Sequence, residues 1–257
     1  MSELEFAKKI AIDAGALLLK KFNHMSIKDI SFKDRHEIVT KLDIESEKII
    51  INGIKKNYPN SNILSEEAGY IKGKNDYLWI VDPLDGTTNY KIGSPLFAVL
   101  IALACRGEVQ FGLAYAPALG EFYETEKGKG TKLNNRKVKV SKTGNIVESI
   151  NLFCHGNSTR EVKRAIKIYN KLKLAGRDSR QLGCAAIEFG FVAAGRAESI
   201  VIPGANKWDV AAGALMVKEA GGTVTDFRGK EWSLESHDIL ATNGKIHNQL
   251  LKIIKNI

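Results

Sequence analysis

Two carboxylates flank a tight turn in segment 79–89, which reads Trp-Ile-Val-Asp-Pro-Leu-Asp-Gly-Thr-Thr-Asn. An apolar strand leads into Asp82, and Asp85 follows three residues later, directly before a glycine. Carboxylates on both sides of such a turn can converge on one point, and hard divalent cations bind several converging oxygen ligands. Past the turn, the N–H groups of Gly86 and Thr87 can hold an anion. Asp-Pro and Asp-Gly pairs also form ordinary turns, so this segment alone fits a structural turn equally well.

Two other acidic segments offer further ligands. Glu66 and Glu67 follow a short predicted strand, and Asp209 begins a helix of small and apolar residues. Each has a structural alternative, because adjacent glutamates are typical of a solvated loop and an aspartate is typical of a helix N-cap. Asp43, three residues after Thr40, fits a capping arrangement at the start of another helix. A capping carboxylate can also bind a metal ion, so these alternatives do not exclude function.

The elements that must position these residues follow from apolar periodicity. A first helix extends through the apolar positions from Ala7 to Phe22, and further helices are predicted at 43–57, 162–172, 185–194, 210–220 and 245–255. Strands are predicted at 62–64, 77–81, 96–105, 109–115, 122–125, 131–140, 149–154, 199–202, 223–225 and 239–241. In helix 162–172, Ala165, Ile166 and Tyr169 are predicted to share the packed face. Helices packed on sheets indicate an α/β (α+β) protein.

Composition narrows the class of protein. The chain has 257 residues, 44% of them apolar, which excludes a disordered chain. Its longest apolar run, at 96–105, has about half of the length that a bilayer-spanning helix needs. Three cysteines without CxxC spacing indicate reduced thiols and a cytoplasmic protein. The net charge of +9 comes from lysines and arginines spread along the chain, which favours a basic surface over a nucleic-acid site.

Three motifs together resemble the inositol monophosphatase family. They are Asp-Pro-Leu-Asp-Gly-Thr-Thr-Asn at 82–89, Ser-Glu-Glu-Ala-Gly at 65–69, and Trp-Asp-Val-Ala-Ala-Gly at 208–213 followed by Glu-Ala-Gly-Gly at 219–222. The resemblance covers almost the whole chain. It implies a layered α/β/α/β/α sandwich, with an N-terminal subdomain at 1–140 and a C-terminal α/β subdomain at 141–257. The implied activity is magnesium-dependent, lithium-sensitive hydrolysis of phosphate monoesters, by a homodimer.

The resemblance also implies roles for individual residues. The metal ligands would be Glu66, Asp82, Asp85, Asp209 and the backbone carbonyl of Leu84. All of these ligands are oxygens, so the expected cofactor is Mg²⁺, with two or three ions per site.

The remaining implied roles concern water and substrate. Thr87 with Asp43 would position and deprotonate the attacking water, and Glu67 would orient ligands or a bound water. Phosphate oxygens would meet the backbone amides of Gly86 and Thr87. The other candidate substrate contacts are Gly183, Ala185 and Lys207, with Arg177 and Arg180 as partners for a second phosphate.

The substrate is less constrained than the chemistry. Inositol 1-phosphate is the first candidate, although Ile202 stands where inositol-preferring members carry a glutamate that contacts inositol hydroxyls. The alternatives are a fructose-1,6-bisphosphatase, alone or bifunctional, and a 3'-phosphoadenosine-5'-phosphate nucleotidase. A non-catalytic binder of a phosphorylated ligand or RNA is the alternative from a different class. We expect no membrane partner.

Overall fold

The computed structural model describes residues 1–22, 30–34, 37–255 and 257. The helices are α1 (Glu3–Lys21), α2 (Lys41–Asn57), α3 (Thr87–Lys91), α4 (Thr159–Ala175), α5 (Ala185–Ala193), α6 (Lys207–Glu219) and α7 (His247–Ile254). The strands are β1 (Ile30–Asp34), β2 (Glu37–Thr40), β3 (Asn62–Ser65), β4 (Gly69–Ile71), β5 (Tyr77–Asp85), β6 (Ala98–Cys105), β7 (Glu108–Ala116), β8 (Glu121–Glu126), β9 (Gly130–Leu133), β10 (Arg136–Lys137), β11 (Ile150–Phe153), β12 (Asp178–Arg180), β13 (Ser199–Ile202), β14 (Thr223–Thr225) and β15 (Ile239–Thr242).

Two main sheets form the framework. The larger has eight strands in the order β10-β9-β8-β7-β6-β5-β3-β4, and only β3 and β5 run parallel among its pairs. The smaller has five strands in the order β12-β11-β13-β15-β14, with β11 parallel to both of its neighbours. A separate hairpin pairs β1 with β2. The order of the larger sheet follows the chain because short turns connect most of its antiparallel strands.

Successive side chains on the central strands point to opposite faces of the sheet, so each face packs against a different layer of helices. On β5, Trp79 and Val81 belong to the apolar cluster that includes α1 and α2, whereas Ile80 belongs to the cluster formed with α5 and α6. The second sheet covers the other side of α5 and α6, and its outer face packs against α4 and α7. The result is the α/β/α/β/α sandwich that the family resemblance implies.

Two glycines allow α6 to pack closely against its neighbouring elements. A Cβ at Gly112 on β7 would lie 2.7 Å from Cα of Ala212, and one at Gly213 would lie 2.3 Å from the ring of Phe189 on α5. Both distances are shorter than van der Waals contact, so larger residues would force these elements apart. Because α5 and α6 pack on both sheets, the apolar core is continuous across residue 141. The proposed division into two subdomains there stays a prediction.

The predicted elements agree with the observed ones in type and differ at some ends. Helix α2 begins two residues earlier than predicted, and α6 begins at Lys207 instead of position 210. The predicted strand at 131–140 is interrupted by its turn and ends with the two-residue strand β10. The short strands β1, β2, β4 and β12 were not predicted. Their few residues carry too little periodicity to be recognised without a partner strand.

The packed face of α4 was predicted correctly at Ala165 and wrongly at Ile166, while Tyr169 is half-buried against Phe153. The buried residues are Ala165, Ile168 and Leu172, while Ile166 is 55% exposed. Positions 165, 168 and 172 follow the spacing of three and four residues that keeps side chains on one helix face, and position 166 departs from it.

The cysteines and helix lengths agree with the compositional expectations. All three cysteines are free thiols. Among the helices in the described ranges, none combines the length and apolar character that crossing a bilayer requires.

His247 is a buried titratable group at the start of α7. Its Nε2 lies 3.0 Å from Oγ1 of Thr225 and its Nδ1 lies 2.9 Å from Oγ1 of Thr242. The Thr225 hydroxyl donates to the carbonyl of Asp226 at 2.8 Å, so it accepts from the imidazole N–H at Nε2. In the neutral ring, Nδ1 then accepts from the hydroxyl of Thr242. Burial lowers the pKa of His247 to about 4.

A neutral, buried imidazole makes stability depend on pH. Between about pH 6.5 and pH 4 the unfolded chain takes up a proton at His247 that the folded chain does not, so the free energy of unfolding falls as the pH falls. We expect the wild type to lose about 2 kcal/mol more than His247→Gln between pH 7 and pH 4. Urea denaturation of both proteins measures this, because groups that titrate in both cancel in the difference. Parallel pH profiles would contradict the assignment.

Candidate active site

The turn after β5 carries two of the predicted ligands. The pairing of β5 with β6 is irregular between Asp82 and Asp85, where Pro83 has no N–H to donate. This irregularity redirects the chain as it leaves the sheet. Oδ1 of Asp82 accepts the N–H of Leu84 at 3.0 Å, which closes the turn locally. Gly86 follows with φ 88°, and a Cβ there would lie 2.7 Å from the carbonyl oxygen of Leu96.

Thr87 begins α3 and joins this turn to α2. Its Oγ1 lies 2.9 Å from Oδ1 of Asp43 and 3.0 Å from the carbonyl oxygen of Leu84. A hydroxyl has one proton to donate. When that proton goes to Asp43, the lone pairs of Thr87 and the carbonyl of Leu84 are available to a water and a cation.

Asp43 caps α2 and also contacts Thr87. Its Oδ2 accepts the N–H of Thr40 at 2.8 Å, and its own N–H donates to Oγ1 of Thr40, which completes the capping box of α2. Its Oδ1 meanwhile reaches Thr87. Burial raises the pKa of Asp43, and the hydrogen bonds from Thr40 and Thr87 oppose this rise.

The loop between β3 and β4 supplies the adjacent glutamates. The N–H of Glu66 donates to the carbonyl of Val81 at 3.2 Å, which ties the loop to β5. Glu66 lines a cavity together with Asp82 and Asp85. Glu67 is not among the cavity residues in the described part of the chain, and its N–H donates to Glu47 on α2 at 3.2 Å.

Asp209 comes from the second half of the chain. The N-cap of α6 is Asn206, so the N-cap alternative for Asp209 is wrong and the carboxylate lies in the first helical turn. Nδ2 of Asn206 donates to Oδ2 of Asp209 at 3.1 Å. Because α6 packs on the larger sheet, its first turn points to the end of β5.

These segments enclose one cavity of about 290 Å³. Its lining residues are Glu66, Asp82, Leu84, Asp85, Gly86, Thr87, Thr88, Asn89, Cys154, His155, Asn157, Gln181, Gly183, Ala185, Ile202, Asn206, Trp208 and Asp209. Four are carboxylates, and the described lining includes no lysine or arginine.

The carboxylates repel one another electrostatically. Burial, followed by the charges of Glu66, Asp85 and Asp209, raises the pKa of Asp82 well above its usual value. Burial and the charges of Asp85 and Glu66 do the same for Asp209. Burial raises the pKa of Asp85 to about 6, against the N–H of Ala186, which donates to its Oδ2 at 2.6 Å. The negative charge concentrated here fits a site that binds cations.

The donor set fits a hard divalent cation in its chemistry. Glu66, Asp82, Asp85 and Asp209 offer carboxylate oxygens, Leu84 offers a carbonyl, and such ligands are those that Mg²⁺ prefers. As the side chains stand, they bond to nearby N–H groups, and no three acidic, histidine or cysteine side chains of the described residues form a finished ligand cage. The fit therefore rests on donor type, charge and convergence.

The predicted substrate contacts divide into two groups. Gly86, Thr87, Gly183 and Ala185 line the cavity.

The basic candidates lie elsewhere. Arg180 pairs with Asp178 at 2.5 Å, and Lys207 pairs with Glu235 at 3.0 Å. Neither residue lines the cavity, and nor does the exposed Arg177.

Two long-range contacts around the site have no signal in the sequence. Nδ2 of Asn89 donates to the carbonyls of Leu96 and Leu182, at 2.8 and 2.7 Å, and thereby holds the loop before α5 against the turn after β5. The thiol of Cys184 donates to Oδ2 of Asp85 at 3.3 Å. The partners lie up to 99 residues apart in the sequence, so only the fold brings them together.

Comparison with known proteins identifies the family. Residues 1–257 match the sequence profile of the inositol monophosphatase family. This chain belongs to that family. Its members are metal-dependent phosphatases that hydrolyse phosphate monoesters.

Curated relatives within the inositol monophosphatase family carry different names. A fructose-1,6-bisphosphatase/inositol-1-monophosphatase of Thermotoga maritima is 37% identical, over 100% of this chain and 97% of the relative. An inositol-1-monophosphatase of Mesorhizobium japonicum is 36% identical, over 95% and 93%. A Nus factor SuhB of Pseudomonas aeruginosa is 34% identical, over 98% and 95%. Membership therefore gives the chemistry and leaves the substrate open.

Solved structures of the inositol monophosphatase family support the fold. The Thermotoga maritima IMPase superposes with a TM-score of 0.91 at 35% identity, covering 100% of this chain and 98% of that one. The extragenic suppressor protein suhB of Bartonella henselae has a TM-score of 0.91 at 32% identity, covering 98% and 97%.

Removing one negative charge from the cavity should stabilise the metal-free protein. In EDTA at pH 7.5, we expect Asp82→Asn to raise the free energy of unfolding by about 1 kcal/mol, because it relieves repulsion from the neighbouring carboxylates. Added Mg²⁺ should stabilise the wild type more than the variant. Thermal unfolding measures both effects, with the exposed Asp13→Asn as control. Lower stability of the variant in EDTA would contradict the repulsion.

Proposed function

We propose that this chain is a Mg²⁺-dependent phosphatase of small phosphate monoesters, with inositol 1-phosphate as the first candidate substrate. The observation that carries the proposal is the convergence of four carboxylates from three separate segments on one cavity, beside the hydrogen-bonded pair of Thr87 and Asp43. From the family resemblance we also propose two or three ions per site, sensitivity to lithium, and a cytoplasmic homodimer.

The ions would be held by Glu66, Asp82, Asp85, Asp209 and the Leu84 carbonyl. Bound Mg²⁺ would lower the pKa of water and offset the negative charge of the phosphate and of the leaving oxygen. The carboxylates fix where that positive charge lies, and the shape of the cavity fixes the approach of the ester.

The chain's own groups would then handle the proton and the phosphate. Thr87 Oγ1 accepts a proton from the attacking water as its own proton moves toward Asp43. The raised pKa of Asp43 makes it a better proton acceptor than a solvated aspartate. The amides of Gly86 and Thr87 would hold phosphate oxygens, and Glu67 would help to orient a bound water.

The remainder of the cavity favours a substrate with one phosphate. Its polar wall consists of uncharged groups such as Asn157 and Gln181, and its apolar wall includes Ile202. No lysine or arginine of the described residues is available there for the second phosphate of a bisphosphate. Arg180, which would serve such a substrate, is instead paired with Asp178. The doubly named Thermotoga maritima relative nevertheless keeps fructose 1,6-bisphosphate in the substrate panel.

A binding function is the second candidate, because some relatives are named Nus factor SuhB and the net charge is +9. The acidic cavity offers nothing to an RNA backbone, so any such binding would use another surface. A gel-shift assay with RNA at physiological salt separates the candidates: tight binding without phosphatase activity would overturn the enzyme proposal.

Activity should depend on the cavity carboxylates. With Mg²⁺, we expect phosphate release from inositol 1-phosphate to exceed release from fructose 1,6-bisphosphate and 3'-phosphoadenosine 5'-phosphate. EDTA should abolish it, and Asp85→Asn should lower kcat/KM by several orders of magnitude, because that carboxylate lines the cavity proposed to hold the cations and accepts the N–H of Ala186 in the first turn of α5. Each substrate is assayed with and without lithium, and Asp13→Asn serves as control. Unchanged turnover in Asp85→Asn would refute this site.

Ile202 should limit discrimination between substrates. It lines the cavity and offers no acceptor to a substrate hydroxyl. Ile202→Glu supplies one, so we expect kcat/KM for inositol 1-phosphate to rise about tenfold relative to that for fructose 1,6-bisphosphate. Ile202→Leu, which keeps the wall apolar, is the matched control. An unchanged ratio with a folded Ile202→Glu protein would show that this position does not contact the alcohol.

A further inference from the structure

Glu47 is a buried carboxylate outside the cavity that collects three donors from the loop between β3 and β4. Its Oε1 accepts the hydroxyl of Ser65 at 2.5 Å, the N–H of Glu67 at 3.2 Å and the N–H of Ala68 at 2.9 Å. Glu47 is 6% exposed. Hydrogen bonds to a shielded carboxylate are stronger than those between neutral groups, so this contact defines the path of the loop.

The three donors lie on both sides of Glu66. Ser65 precedes it, and the two backbone amides follow it. The N–H of Glu66 itself is tied to the carbonyl of Val81 at 3.2 Å. The backbone of Glu66 is therefore fixed from two sides, by Glu47 and by β5. This fixes the direction in which its side chain leaves the main chain.

The same face of α2 reaches the other parts of the site. Asp43, Ser46 and Glu47 have the spacing of three and four residues that places side chains on one helical face. The hydroxyl of Ser46 donates to the carbonyl of Pro83 at 2.8 Å, and Asp43 accepts from Thr87. One rigid helix thus sets the loop that carries Glu66 relative to the turn after β5.

We propose that Glu47 is a positioning residue that sets the cation affinity of the site by fixing the loop that carries Glu66. The inference rests on the proposed function, because it requires a cation at Glu66. It assigns Glu47 no contact with cation or substrate. Its effect passes through the loop that it holds.

Loss of Glu47 should weaken cation binding because three donors lose their acceptor and the loop gains alternative conformations. Residues that orient ligands from behind typically contribute 10–100-fold to metal affinity. We expect about 10-fold weaker binding in Glu47→Gln, whose amide oxygen can still accept these bonds without the charge. We expect up to about 100-fold weaker binding in Glu47→Ala, which removes the acceptor.

The experiment measures Mn²⁺ binding to the purified full chain by electron paramagnetic resonance of the free ion. Mn²⁺ takes the same oxygen ligands as Mg²⁺ and can be counted directly. The matched control is Glu45→Gln, which removes the same charge from an exposed position of the same helix. Circular dichroism and thermal unfolding establish that each variant is folded at the assay temperature. If Glu47→Ala does not fold, Glu47→Gln decides.

A second readout separates positioning from general damage. The Mg²⁺ concentration for half-maximal phosphatase activity should rise in parallel with the Mn²⁺ dissociation constant, and kcat at saturating Mg²⁺ should return to within about threefold of wild type. Wild-type Mn²⁺ affinity in folded Glu47→Gln overturns the proposal. A loss of kcat at saturating metal with unchanged affinity also overturns it. If the wild type itself binds no Mn²⁺ and releases no phosphate, the proposed function has failed instead.

Discussion

Electrostatic repulsion among four carboxylates is the interaction on which the described part of this site depends. Glu66, Asp82, Asp85 and Asp209 line one cavity, and the described lining brings no lysine or arginine among them. Each of the three aspartates has a local donor, such as Asn206 for Asp209, yet these donors leave the shared charge uncompensated. Burial and repulsion together raise the pKa values of Asp82 and Asp209, and burial raises that of Asp85. A bound multivalent cation would relieve this repulsion. The free energy that the repulsion costs the metal-free protein would therefore favour cation binding.

The fold can impose that cost because the carboxylates come from elements fixed by extensive packing. β5 lies inside the larger sheet, and α6 packs closely enough on β7 that Gly112 has no space for a side chain. The apolar layers between the two sheets hold α6 where its first turn meets the end of β5. The carboxylates could move apart only if these apolar layers lost their packing contacts. The repulsion is therefore balanced by apolar burial far from the cavity, which permits a strained site in a stable protein.

The candidate ligand residues could be predicted from the sequence more completely than the residues that surround them in the cavity. The turn at 82–87 and the periodic helices have local signals, so their carboxylates and the layered fold could be predicted. The contacts of Asn89 with Leu182 and of Cys184 with Asp85 have no such signal, since these partners are distant in the chain. Arg180 and Lys207 illustrate the opposite difficulty: their charge suggests a phosphate contact, yet acidic neighbours pair with them outside the cavity. The charge of a residue does not show which way its side chain points. The backbone that carries the side chain determines that direction.

The net charge of +9 and the acidic cavity are compatible because they act over different distances. Surface lysines such as Lys127 and Lys218 pair with glutamates at 2.5 and 2.6 Å, and water and salt screen them beyond about 10 Å. Such residues can draw an anionic ester toward the protein but cannot neutralise it in the described cavity. Under the proposed function, the field that attracts phosphate there would come from cations held by the carboxylates, assisted by backbone amides. Cation and substrate should consequently bind cooperatively, since each removes charge that opposes the other.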